Sequence, residues 1–264
     1  MAVLTVTSLA GCEGGQSENQ QGDGSKNQPL YDETETQRLY KVGDYYPDPD
    51  AVYSNGVLQS GTAAIGIVFW LDTDALRYDV ATQSGPSGKI VSLDEASDDL
   101  EWGLCDVVTD ANSFYDGCAN MAAIKRMDNT FSAYPAFAWV DQKNGAAGAT
   151  AYASGAKGIW YLPAVAELQY LLCAAAGKPY ETWSFQDSDN SNCYCPIFNQ
   201  DEGTIGLSNF NVIISAGGVA FASYVYWSAT ENGSFNACYV SFRNGLTYYT
   251  TNPTSFLVRC VMAF

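Results

Sequence analysis

The chain has 264 residues, 47% hydrophobic and 14% aromatic, enough for a packed core in one large domain or two small ones. Its formal charge of -17, with only 12 Lys and Arg, excludes a nucleic-acid partner, because phosphate binding needs clustered cations. Histidine is absent, which removes Ser-His-Asp and Cys-His catalysis and most zinc and iron sites.

Residues 2 to 11 are mostly small and apolar, and Leu9-Ala10-Gly11-Cys12 matches a bacterial lipobox, in which Cys12 is the lipidation site. No Lys or Arg precedes the apolar run. Two readings stay open: a truncated lipoprotein signal, or an accidental match. The Gly/Ser/Gln/Asn-rich stretch that follows favours the first, because it reads as a flexible tether. The expected layout is a signal over residues 1–12, a tether over 13–30 and one domain over 31–264. Membrane attachment is expected through the lipid alone, at a bacterial outer membrane or cell surface, since no segment approaches the roughly 18 consecutive apolar residues of a spanning helix.

Pro47 and Pro49, alternating with Asp48 and Asp50, predict a turn after Tyr40–Tyr46. The continuous apolar run Ile65–Leu71 predicts a buried strand, and Lys89–Leu93 a short one, the two pairing antiparallel. Residues 117–127 predict a helix with Cys118, Met121, Ile124 and Met127 on one face. Residues 128–157 read as an aromatic patch, Tyr134 to Trp139, and a Gly/Ala-rich loop. Ile159–Leu162 leads into a helix from Pro163 to about Ala176, with Pro163 in its first turn and Val165, Leu168, Leu171 and Leu172 as its buried stripe. Gly177 marks its end. Residues 183–203 read as a polar loop. Short strands are predicted at Val212–Ser215, Val225–Ser228, Cys238–Phe242, Gly245–Tyr249 and Leu257–Met262, with a hairpin turn at Asn244-Gly245. Two helices with strands at both ends describe an α+β domain, which terminal strands could close by pairing with each other.

Beyond Cys12, seven cysteines stand at 105, 118, 173, 193, 195, 238 and 260. Cys173 and Cys260 read as buried thiols packing as small hydrophobes. Cys105 and Cys118 flank a loop, and two readings stay open, free thiols or a bridge if the compartment is oxidising. No metal site and no cofactor are expected.

Four motifs occur in order: Ile65-Gly66-Ile67-Val68-Phe69; Trp160-Tyr161-Leu162-Pro163 with Glu167-Leu168; Tyr226-Trp227-Ser228-Ala229-Thr230-Glu231; and Val258-Arg259-Cys260-Val261. On these the chain resembles the Fibrobacter-type major paralogous domain, also described as the Lcl C-terminal-like domain, over about residues 40 to 264. The resemblance implies a C-type-lectin-like fold, with two helices and a mostly antiparallel sheet, on a bacterial surface lipoprotein. Several members resemble the variable proteins of diversity-generating retroelements, in which adenine-rich codons are randomised. The family pattern places Trp where this chain has Cys238. Arg259 lies in the family's closing motif and is expected to be buried against a carboxylate, Glu231 or Glu167.

Randomising the adenines of an Asn codon cannot produce Lys, Glu, Gln, Met or Trp. Asn232 to Leu257 contains none of these, although they make up roughly one residue in seven of the chain. Diversification explains the absence; so does an ordinary surface hairpin, which disfavours Lys and Glu. The expected ligand-binding residues are Phe235, Tyr239, Ser241, Arg243, Leu246, Tyr248, Tyr249, Thr251, Pro253, Ser255 and Phe256, with Thr250 and Thr254 beside them. Tyr, Ser and Arg supply rigid contact area and adaptable hydrogen bonds in paratopes. Val240, Phe242 and Val258 are assigned to the core.

The expected function is binding of an unidentified protein or glycan, with no catalytic residue; the alternative is an adhesion subunit of a surface or pilus-like assembly. The Glu-Pro-Asn and Trp-Asn-Asp triplets of calcium-dependent lectins do not occur. An enzyme of the formylglycine-generating type would need paired cysteines with copper, and Cys260 has no partner in its motif.

Overall fold

The computed structural model describes residues 38–72, 77–78, 87–145, 148–150, 152–178, 193–194 and 204–264. The Cys12 lipobox, the tether and most of the polar loop at 183–203 lie outside the described residues. The first half of the chain contributes β1 (Arg38–Leu39), β2 (Tyr45–Tyr46), β3 (Val52–Ser54), β4 (Val57–Ser60), β5 (Gly66–Leu71), β6 (Arg77–Tyr78), β7 (Gly88–Ser92) and β8 (Leu100–Glu101). Then come α1 (Gly117–Met127), α2 (Pro135–Gln142), β9 (Trp160–Tyr161), α3 (Val165–Ala175), β10 (Cys193–Tyr194) and α4 (Val212–Ser215). The C-terminal part holds β11 (Val225–Glu231), β12 (Asn236–Ser241), β13 (Leu246–Thr251), β14 (Ser255–Phe256) and β15 (Val261–Ala263). The fold is α+β with antiparallel strand pairing throughout these sheets.

A five-stranded sheet runs β2-β5-β7-β15-β9. Its centre explains the unbroken apolar run of β5. Ile67 and Phe69 enter the main core, while Val68 packs with Tyr40, Ile90 and Met262 in a second cluster, so both faces are dry. The predicted β5–β7 pairing is present, with Ile67 opposite Val91. Strands predicted at the two ends of the domain close this sheet, β7 pairing antiparallel with β15, Val91 opposite Val261. β2 bonds β5, and β15 lies between β7 and β9. The ring of Tyr46 on β2 also packs on that of Phe264, the centroids 4.5 Å apart.

A four-stranded sheet runs β10-β13-β12-β11. Helix α3 packs against strands of both large sheets, and every residue of it except Tyr170 is buried. A helix enclosed on all sides needs its terminal backbone groups satisfied by neighbours. Thr230 Oγ1 accepts from Val165 N at 3.1 Å, Phe114 O from Ala166 N at 2.9 Å, and Glu167 Oε2 from Ala164 N at 2.8 Å. Ala164 is the residue before the helix, so Pro163 stands just outside the first turn rather than in it. At the other end Gly177, at φ +66°, lets its N–H reach Ala174 O and that of Lys178 reach Cys173 O, a Schellman cap.

Four helices, not two, occur among the described residues. The Tyr134–Trp139 patch is the start of α2, with Pro135 in its first turn; Phe137 stands edge-on to Trp102 at 5.0 Å. Val212–Ser215 is one helical turn rather than a strand, with Ile213 buried and Ile214 half exposed. Helix α1 matches its prediction, and Cys118, Met121 and Ile124 are buried, but Met127 is exposed at the C-terminal end. Asp116 caps its start, accepting from Ala119 N at 2.9 Å. Cys105 and Cys118 do not bridge: Cys105 is at the surface, while Cys118 faces inward from α1. Cys173 and Cys260 are buried, as expected.

Candidate functional site

The predicted hairpin forms between β12 and β13, turning through Phe242–Gly245 with Gly245 at φ +76°. Register decides which side chains share a face. Trp227 on β11 opposes Tyr239 on β12, and Tyr239 opposes Tyr248 on β13. These rings therefore stand side by side across three strands, at 6.0 Å and 5.6 Å between centroids. Phe256 from β14 lies over two of them, 4.6 Å from Trp227 and 4.7 Å from Tyr239. Trp227 forms the buried floor, donating Nε1 to Leu100 O at 2.8 Å. Tyr239, Tyr248 and Phe256 are half-buried and form the surface above it. Burial, and then the neighbouring Tyr248 phenol, raises the pKa of the Tyr239 hydroxyl.

The expected binding residues divide into three groups. Phe235, Arg243, Tyr249, Thr251, Pro253 and Ser255 are exposed, whereas Tyr239, Leu246, Tyr248, Phe256, Thr250 and Thr254 are half-buried. Ser241 is buried and leaves the set. It opposes Val225 at the start of β11. Tyr249 is exposed but opposes Cys238, on the face opposite the Tyr239–Tyr248 pair. The residues thus form two surfaces rather than one platform. Val240, Phe242 and Val258 are buried, as assigned.

The irregular segment after β13 is held by one residue, Asn252, which is fully buried between exposed Thr251 and Pro253. Its N–H donates to Phe235 O at 3.0 Å and its Nδ2 to Leu104 O at 2.7 Å, while its own carbonyl accepts from Trp102 N at 3.0 Å. This brings the 103–110 loop against the start of β12, with Val107 N donating to Ser234 O at 3.2 Å. Leu104 and Val108, 46% and 62% exposed, sit on that loop, and Phe235, next to Ser234, is exposed as well. Sequence reasoning missed them, because contact order of this length leaves no local pattern.

Arg259 is buried, but its carboxylate partner is Glu95, at 3.3 Å, and neither Glu231 nor Glu167. It also donates to Val219 O at 2.7 Å and stacks 4.2 Å from the Phe221 ring. Glu231 instead accepts from Thr109 N at 3.0 Å. Burial raises the pKa of its carboxyl above the ordinary range against the effect of these bonds. Glu167 accepts from Lys89 Nζ, Tyr161 OH, Ala164 N and Gly117 N. These carboxylates hold the fold together. Among the described residues no group of three or more Cys, Asp or Glu side chains could hold a metal ion. Nor is any described helix long and apolar enough to cross a membrane.

No protein-family model matches the chain, and no curated protein matches it. One solved structure, described as a fimbrial protein from Bacteroides ovatus ATCC 8483, is similar at 19% sequence identity and a TM-score of 0.47. The match covers 85% of this chain and 49% of that one, so this chain spans about half of that protein's length. A likeness at this level transfers neither fold nor function.

Proposed function

We propose that the chain is a cell-surface recognition module of the C-type-lectin-like kind, presenting an aromatic and hydroxyl face from its C-terminal hairpin to a protein or glycan. The observation that carries this reading is the Tyr239–Tyr248–Phe256 surface, half-open to solvent above the buried Trp227. Aromatic rings fixed by a sheet lose little entropy on contact with a ligand. Variation of this segment by codon randomisation belongs to the same proposal, as does a lipid anchor at Cys12. Neither catalysis nor a cofactor is assigned.

The test is a glycan-array and purified-surface-protein-array screen with the full chain. A bound ligand lost on Tyr248→Ala, and kept on Met127→Ala at the exposed C-terminal end of α1, supports the reading. A ligand indifferent to Tyr248 overturns it. Concentration-dependent self-association lost on the same substitution would replace it with the assembly-subunit alternative.

A further inference from the structure

A cavity of about 250 Å³ lies away from the hairpin, between the start of α1, β9 and the 154–156 turn. Its walls include Lys89, Asp116, Cys118, Ser154 and Tyr161, with Tyr115 at the mouth. The volume is below the roughly 300–1,000 Å³ of drug-sized sites, so it suits a small metabolite and not a polymer. Tyr161 and Cys118 are 2% exposed and form a fixed floor, while Tyr115 and Ser154 are exposed at the rim.

The walls carry both signs of charge. Lys89 Nζ pairs with Glu167 Oε1, its one hydrogen-bond partner among the described residues. An ammonium has three donors, so two are left. Asp116 Oδ1 caps α1 through Ala119 N, and its second oxygen has no partner among the described residues. Glu167 is already saturated by two backbone N–H groups, a phenol and the lysine. It anchors Lys89 without being available to a ligand.

We propose that this cavity binds a small zwitterion, a compound of amino-acid size with one carboxylate and one ammonium. The carboxylate would meet the open donors of Lys89, and the ammonium the open oxygen of Asp116. A simple anion would face two carboxylates against one ammonium. A neutral apolar ligand would leave Lys89 and Asp116 stripped of water and unpaired. A zwitterion satisfies both groups at once. Cys118 takes no chemical part, because burial pushes its thiol up to about 11.

The test is calorimetric titration of the full chain with each free proteinogenic L-amino acid. For any that binds, its N-acetyl and its C-amide derivatives follow. The expected result is binding of at least one amino acid and a loss of tenfold or more for each derivative. Asp116→Asn keeps a competent helix cap and is expected to cost tenfold or more in affinity with an unchanged melting temperature. Ser154→Trp, at the exposed rim, should block entry with the circular dichroism spectrum retained. Tyr248→Ala should have no effect, which separates this site from the hairpin face. Absence of binding at millimolar concentration, equal binding of either derivative, or full affinity in the folded Asp116→Asn protein would overturn the proposal.

Discussion

Tyr239 and Tyr248 face each other across β12 and β13 with ring centroids 5.6 Å apart, whereas Tyr249, the next residue, opposes Cys238 on the other side of the sheet. Neighbours in sequence thus take different parts. Tyr248 belongs to an aromatic surface tied into the core through Trp227 and Phe256. Tyr249 projects into solvent with 42% of its surface exposed.

That difference predicts unequal costs along one segment. Phe256→Ala removes a ring seated on both Trp227 and Tyr239. Because Phe256 is only half-buried, the cost should fall below the roughly 3–5 kcal/mol of a fully buried Phe, at about 2 kcal/mol. Tyr249→Ser should stay within about 0.5 kcal/mol of the parent. Urea denaturation of the two variants checks this. Equal costs would show that Phe256 is not anchored as described.

Glu167 is the second test. Its carboxylate is 3% exposed and bonded to Lys89, Tyr161 and two backbone N–H groups, so it joins β7, β9 and the starts of α1 and α3. Glu167→Gln leaves the Lys89 ammonium without its counter-charge and places an amide N–H₂ where an acceptor is required. Removing one member of a buried pair costs about 3–5 kcal/mol, and a loss of that size is expected. Lys89→Met should cost less, because the carboxylate keeps its three other donors. Denaturant midpoints of the two variants and of the double variant measure the coupling.

These contacts also show where the sequence is legible. α1, α3, the β5–β7 pair and the β12–β13 hairpin are marked by local signals: periodicity, an apolar run, and an Asn-Gly turn. α2 was hidden because Tyr134–Trp139 is short and aromatic, and its burial against Trp102 depends on a partner more than thirty residues away. The Val212–Ser215 turn has β-branched residues that favour a strand, and tertiary packing of Ile213 overrides them. Arg259 could be read as buried, yet its Glu95 partner could not, since 164 positions separate them. Ser241 alternates with the core residue Val240, but alternation gives only the face a side chain takes and not whether that face is covered, and Ser241 is buried.

Asp128 gives a pH-dependent prediction. Its carboxylate accepts from Ala133 N at 2.9 Å, Thr130 N at 3.0 Å, Thr130 Oγ1 at 2.8 Å and Ser132 Oγ at 3.1 Å, fixing the turn between α1 and α2. The Ala133 N–H contributes most, and together these donors lower the carboxyl from the ordinary 3.8 to about 2. A depressed folded pKa stabilises above the unfolded value and is lost as pH falls through the folded one. The contribution is therefore complete above about pH 4 and gone below about pH 2. Partial solvent access reduces it to about 1 kcal/mol. Asp128→Ala should be less stable than the parent by that amount at pH 6, and the gap should narrow between pH 4 and pH 2. A constant gap across that range would show that the carboxylate's charge is not involved.

Gly117 tests the seam between α1 and the 162–167 turn. A Cβ built there would lie 2.2 Å from Leu162 O, 2.7 Å from Ala164 N and 2.9 Å from Glu167 Oε2. Two of these atoms are backbone, and the third belongs to the saturated carboxylate, so none can give way cheaply. Gly117→Ala would ordinarily favour the start of a helix by up to about 1 kcal/mol. Here the clash should outweigh that gain, because α1 must move off the turn and break the Gly117 N–H bond to Glu167 at 3.0 Å. The expected loss is about 2–3 kcal/mol, the scale of an overpacked core with one buried hydrogen bond broken. Gly206→Ala is the control, since nothing lies within 4 Å of its Cβ position, and it should remain within about 0.5 kcal/mol of the parent. Thermal melts of both variants decide it: a Gly117→Ala protein as stable as the control would mean that α1 and the turn are not in direct backbone contact.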